Sequence, residues 1–90
     1  NLFIAFPHIQ LTNHSEETIK AFKNEMTGYP QVMECYHLTG HYDFMLKIVM
    51  PDMVAYNEFL REKIGSLPYI GNIQSFLVLS EVIHETAYTL

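Results

Sequence analysis

Leu38-Thr39-Gly40-His41-Tyr42-Asp43-Phe44 is the stretch on which the reading of the fold turns. It sets a glycine and several polar side chains between two runs, Val32 to Thr39 and Tyr42 to Met50, that carry β-branched, aromatic and other apolar residues on both faces. Such an arrangement predicts a hairpin whose bend needs the positive φ that glycine adopts at no steric cost. The bend does not by itself account for Tyr42 and Asp43, a phenol and a carboxylate that follow at once. These positions are where a small zwitterion could be gripped.

Working outward, Leu2 to Leu11 reads as the first strand, with Pro7 placing it near a sheet edge or a bulge. Thr12, Asn13, His14 and Ser15 then offer helix caps, Glu16 and Glu17 suit the positive end of a helix, and Ile19, Phe22 and Met26 recur on one helical face. Gly28 and Pro30 stop that helix. After the hairpin, Pro51 and Asp52 open a second helix with the stripe Met53, Tyr56, Leu60 and Ile64, ended by Gly65 and Pro68. Ile70 to Ser80 is the fourth strand, and Val82 to Leu90 is a further short strand or an arm reaching a neighbour, with Glu81 and Glu85 solvated. The order βαββαβ uses a strand-helix-strand unit twice. It predicts an α+β, ferredoxin-like sandwich, a four-stranded antiparallel sheet with two helices on one face.

Composition bounds what such a domain does. At 90 residues the chain is one domain that buries only about 60 to 65% of its unfolded surface. Apolar residues are 49% and charged residues 17%, more apolar surface than one small core absorbs. Two protomers meeting through the uncovered sheet face would hide the surplus. Five basic against ten acidic residues, a formal charge of −5, repel phosphate backbones and anionic membranes. A single cysteine, Cys35, excludes an internal disulfide and reads as a buried small hydrophobe in preference to a reactive thiol. No run reaches the length of a membrane span and no basic-then-apolar leader is present, so the cytoplasm is the expected compartment.

The blocks Val32-Met33-Glu34-Cys35-Tyr36, Thr39-Gly40-His41-Tyr42-Asp43, Met45-Leu46-Lys47-Ile48-Val49, Tyr56-Asn57-Glu58-Phe59-Leu60 and Leu67-Pro68-Tyr69-Ile70 together carry a likeness. The chain resembles the effector-binding domain of the Lrp/AsnC family of amino-acid-responsive transcription regulators, from roughly Phe3 to Val82. The strand, Thr-Gly-x-Tyr-Asp and strand block is its most specific part. The resemblance implies an effector crevice near the turn, between dimers, completed by the early part of strand four from another subunit. In this sequence those positions are Thr39, Gly40, His41, Tyr42 and Asp43, with Gln74 and Ser75 as the contributions across the interface. It further implies homodimers that assemble into a higher oligomer, an octamer being one candidate size, with effector binding coupled to assembly. Family members usually carry an N-terminal helix-turn-helix, for which this chain has no residues. The expectation is therefore a fragment or stand-alone version of a longer regulator, with DNA contacted by the parent's N-terminal domain and not by this one.

Other readings of single residues are weaker. Backbone N–H groups around Gly40 and His41 can take a carboxylate while Asp43 or turn carbonyls accept from an ammonium. His37 and His41 flank the turn but lack a convincing third metal ligand, and His8, His14 and His84 are scattered, so neither metal nor cofactor is expected. Tyr36, Tyr42, Tyr56, Tyr69 and Phe76 fit core or interface packing better than a substrate cage. The alternative function is a small dimeric ferredoxin-like enzyme acting on an aromatic substrate, which requires a buried acid or base beneath the helices. RNA binding on the open sheet is a third reading, opposed by the acidic balance.

Overall fold

The computed structural model describes residues 2–84. Alternation in the first segment produces β1, Phe3–Leu11, whose buried residues are Ala5, Pro7, Ile9 and Leu11. Ser15 caps α1, Glu16–Thr27, by accepting the Thr18 N–H at 3.1 Å, and Phe22 and Met26 form its buried side. β2, Val32–His37, and β3, Phe44–Met50, follow. Asp52 then caps α2, Met53–Phe59, accepting the Ala55 N–H at 2.8 Å. β4, Ile70–Leu77, completes an antiparallel sheet in the order β2-β3-β1-β4.

This is the expected split-βαβ sandwich. Buried residues from the helices, Phe22, Met26, Tyr56, Phe59 and Ile64, join those of the central strands in one core. Phe22 packs on Phe44 with ring centroids 4.6 Å apart, and Phe3 lies 5.4 Å from Tyr56. Burying each large side chain contributes about 1.5–3 kcal/mol. The other sheet face carries Ile4, Phe6, His8, Met45, Lys47 and Val49, all half-buried, and the exposed Tyr36, Gln74 and Phe76. Cross-strand neighbours on it include Ile4 with Val49, Phe6 with Phe76 and Glu34 with Lys47. The expectation that both faces of the hairpin strands are covered holds within a protomer for one face of β3, whereas β2 at the sheet edge has no buried residue.

Several details differ from the sequence reading. Pro7 lies in a central strand, between β3 and β4, and not at an edge or bulge. The β1–β3 register runs from Phe3 to Ala5 and resumes at His8, so the ladder lapses where proline has no N–H to donate, while the Pro7 ring is buried. The hairpin strands stop two residues short on each side of the bend, and Leu38 N–H donates to Asp43 C=O at 2.8 Å to close a wider loop. The second helix continues as a π-helical turn, Leu60–Ile64, in which Gly65 N–H reaches back to Leu60 C=O. Phe59 joins the buried stripe while Met53, in the first turn of α2, stands 47% exposed, and the π turn sets five positions between the buried Phe59 and Ile64.

Cys35 is exposed and not a buried hydrophobe, because β2 is an edge strand that α1 covers only in part. It lines a shallow cleft of about 180 Å³ with Met26, Thr27, Val32, Met33 and Glu34. Partial burial pushes its thiol pKa up, outweighing the nearby Lys23 charge, so the thiolate is disfavoured. β4 ends at Leu77 rather than Ser80, and Val78 N–H makes a last bond to Ile4 C=O at 3.1 Å. Beyond it Leu79, Val82 and Ile83 stand exposed and residues 82–84 form no strand. The remainder of the expected arm, Glu85 included, lies outside the described residues.

Candidate functional site

The six-residue loop between β2 and β3 is built around Gly40, whose φ of +104° is the only positive value among the described residues. A Cβ at Gly40 would meet no atom within 4 Å, so backbone conformation and not crowding requires glycine here. Thr39, Gly40 and His41 are exposed and Tyr42 is half-buried. Among the described residues, the backbone N–H groups of Gly40, His41 and Tyr42 have no hydrogen-bond acceptor. Three successive free donors beside an open bend can chelate a small anion.

Asp43 has a different place. One carboxylate oxygen accepts the Leu11 N–H at 2.7 Å and the other lies 2.9 Å from His14 Nε2. Its own N–H donates to Ile9 C=O and its C=O accepts from Leu38 N–H, both at 2.8 Å. Asp43 thus extends the β1–β3 ladder where the strands diverge, and its side chain is 13% exposed. The residue read from sequence as an ammonium acceptor is first of all the anchor of the loop.

Tyr42 projects over the end of β4. Its hydroxyl donates to Gln74 Oε1 at 2.9 Å and accepts from Asn72 Nδ2 at 3.4 Å. The His8 and His41 rings approach the Tyr42 ring edge-on at 5.8 and 4.8 Å, and His8 also meets Phe76 at 4.6 Å. Gln74 therefore joins the turn within a single protomer. The sequence reading groups Gln74 with Ser75, but strand alternation sends them to opposite faces. Ser75 shares a 2.6 Å hydrogen bond with the Tyr56 hydroxyl on the helix side. Asn72 and His8 are the neighbours that sequence spacing did not bring forward. The signal that could have found them is their register opposite Gln10 and Gln74 once β1 and β4 are paired.

The remaining candidates are structural. His37 stacks on Phe44 with centroids 4.5 Å apart and an 11° interplanar angle. Among the described residues no polar or charged side chain is buried in the core and no group of three potential metal ligands converges. The enzyme reading asks for an acid or base beneath the helices, and the described core is lined by apolar and aromatic side chains instead. Tyr56 is buried there, with its pKa raised by that burial and partly offset by the Ser75 bond. No helix among the described residues is long and apolar enough to cross a membrane.

Comparison with known proteins bears on this geometry. Residues 4–88 match the Lrp/AsnC ligand binding domain. The transcriptional regulator AzlB of Bacillus subtilis is 40% identical over 72 residues, spanning 80% of this chain and 46% of its own length. A Neisseria meningitidis transcriptional regulator, solved in complex with L-Met, superposes with a TM-score of 0.89 at 26% identity, over 97% of this chain and 56% of that one. FFRP-DM1 shares the fold with a TM-score of 0.75 at 22% identity, over 86% of this chain and 99% of that one. The chain spans about half the length of the curated relatives it matches. Those relatives are transcriptional regulators and not enzymes. This chain belongs to the Lrp/AsnC ligand-binding domain family.

Proposed function

We propose that this domain senses a free amino acid at the glycine turn and couples its binding to assembly. The observation that carries the reading is the relative of the same fold, the Neisseria regulator, that holds L-Met. Free N–H donors at Gly40, His41 and Tyr42 supply an anion-friendly patch, and Thr39 and the Tyr42–Gln74 pair stand beside it. In this reading Asp43 fixes the bend, and its unused lone pairs and the turn carbonyls are the acceptors for an ammonium group. Ser75 has no part in its own protomer's crevice, because its hydroxyl is turned toward Tyr56.

The open sheet face is the pairing surface, with two protomers meeting on it as a homodimer and the dimers assembling further, to an octamer as one candidate. Crevices between dimers then put each glycine turn against a neighbour. A ligand of about nine heavy atoms at roughly 0.5 kcal/mol each binds with about 4 to 5 kcal/mol, near-millimolar and suited to a metabolite pool. Several equivalent crevices with different affinity in two assemblies shift the balance between them. In a longer cytoplasmic parent, that shift would act on DNA through another domain. The net charge of −5 keeps this one away from nucleic acid.

A thermal-shift screen against the twenty amino acids tests the proposal, since a ligand bound only by the folded state raises the melting temperature. A rise with one or a few of them is expected. No shift with any of them at ten-millimolar order, well above the expected dissociation constant, would remove the sensor reading.

A further inference from the structure

Resting on the effector reading above, we infer that His14 is a positioning residue for the glycine turn, acting through Asp43. His14 belongs to the connection between β1 and α1 and is 29 positions from Asp43, so no local pattern joins them. Its Nε2 nevertheless lies 2.9 Å from Asp43 Oδ1. The other carboxylate oxygen holds the N–H of Leu11, a residue only 3% exposed, and the Asp43 backbone ties to Ile9 and Leu38.

Asp43 is the last residue of the loop before β3 starts at Phe44. The direction in which Gly40, His41 and Tyr42 present their N–H groups therefore follows from how tightly this stem is held. Two of the stem's bonds are backbone bonds, and a third is the carboxylate bond to Leu11. His14 supplies the remaining one, from outside the crevice. It uses a side chain that is 60% exposed and whose bond is to the Asp43 carboxylate. An Nε2–H donor satisfies the second carboxylate oxygen and fixes the carboxylate plane, which keeps Oδ2 aimed at Leu11. The histidine is immediately followed by Ser15, the cap of α1, so the turn is joined to the first turn of that helix by one side chain.

The test uses the whole chain with His14→Ala and His14→Gln, since a glutamine amide can donate to the same oxygen. Amide hydrogen exchange at Leu11, Leu38 and Asp43 reads the hold on the stem, with Leu46 and Ile48 as controls for global stability. Affinity for whichever amino acid raises the melting temperature is measured in parallel. His14→Ala is expected to speed exchange at the three stem amides about three- to fivefold and to weaken amino-acid binding by a similar factor, leaving Leu46 and Ile48 unchanged. His14→Gln is expected to restore both to within about twofold. Unchanged stem exchange in His14→Ala would overturn the inference, as would equal acceleration at the control amides or faster stem exchange with unaltered affinity. If no amino acid binds the unmodified chain, the sensor reading fails by itself, and the exchange pattern still decides whether His14 anchors the turn.

Discussion

The helix-covered face of the sheet and its open face are made from alternate residues of the same strands. Along β1, Ala5, Ile9 and Leu11 are at most 3% exposed, whereas Ile4, Phe6 and His8 on the other face are only half-buried. Along β3 the contrast repeats, with Phe44, Leu46 and Ile48 fully buried and Met45, Lys47 and Val49 half-buried. The covered face is complete within one protomer, with the buried Tyr56 hydroxyl satisfied by Ser75. The open face mixes apolar side chains with the Lys47–Glu34 pair, the His8–Phe76 contact and the Tyr42–Gln74 bond, and the glycine turn stands at its rim. The difference teaches that one face stores the protomer's stability and the other is left uncovered, where the proposed pairing and binding would act.

The sharpest way to separate the faces is to damage each. Phe44→Ala, on the covered face, is expected to cost about 3–5 kcal/mol, a large share of a small domain's total, measured by urea unfolding. Val49→Asp, on the open face, should leave the protomer folded while weakening pairing about a hundredfold, equivalent to about 3 kcal/mol, read by sedimentation. A Val49→Asp protein that unfolds at all concentrations would erase the distinction. Tyr56→Phe removes the hydroxyl that joins α2 to Ser75 at 2.6 Å and is expected to cost about 1 kcal/mol in thermal unfolding. Lys47→Met should change protomer stability by less than about 0.5 kcal/mol, because its 3.7 Å pair with Glu34 is partly solvated, and any larger effect should appear only in pairing.

The helix side makes a further contribution that depends on pH at the alkaline end. The Tyr29 hydroxyl donates to Glu25 at 2.6 Å, and that bond pushes its pKa up to about 12, with desolvation adding to it. Tyr69 is raised too, by burial and then by the Glu25 charge. A raised folded value favours the neutral phenol. The stability it supplies is complete below the ordinary value of 10.0 and is lost as pH rises through about 12. Glu25→Gln is expected to return Tyr29 toward 10.0 in a phenolate absorbance titration.

Periodicity made most of the covered face legible. Ile19, Phe22 and Met26, the Ser15 and Asp52 caps and the alternation of β1 and β3 all state locally what the fold needs. Pro7 misled because composition cannot show that a central strand tolerates a lapse in one ladder. Met53 is exposed because it stands in the first turn of α2, and the five-position step from Phe59 to Ile64 comes from the π turn, which a 3.6-residue pattern does not contain. At the candidate site, Gly40 was readable from its need for positive φ, and the Thr-Gly-x-Tyr-Asp block pointed to the loop. The bonds from Asp43 to Leu11 and His14 were not readable, since they join segments brought together only by strand pairing. The same holds for Gln74, which meets Tyr42 in its own protomer across 32 positions.

Sedimentation equilibrium of the chain across protein concentration, with and without each amino acid that raises its melting temperature, puts the unfinished face and the rim turn to work together. Pairing in the free chain, and a shift in assembly state with at least one amino acid, is the expected result. A single protomer at every concentration, with the same profile whatever amino acid is added, would contradict the account.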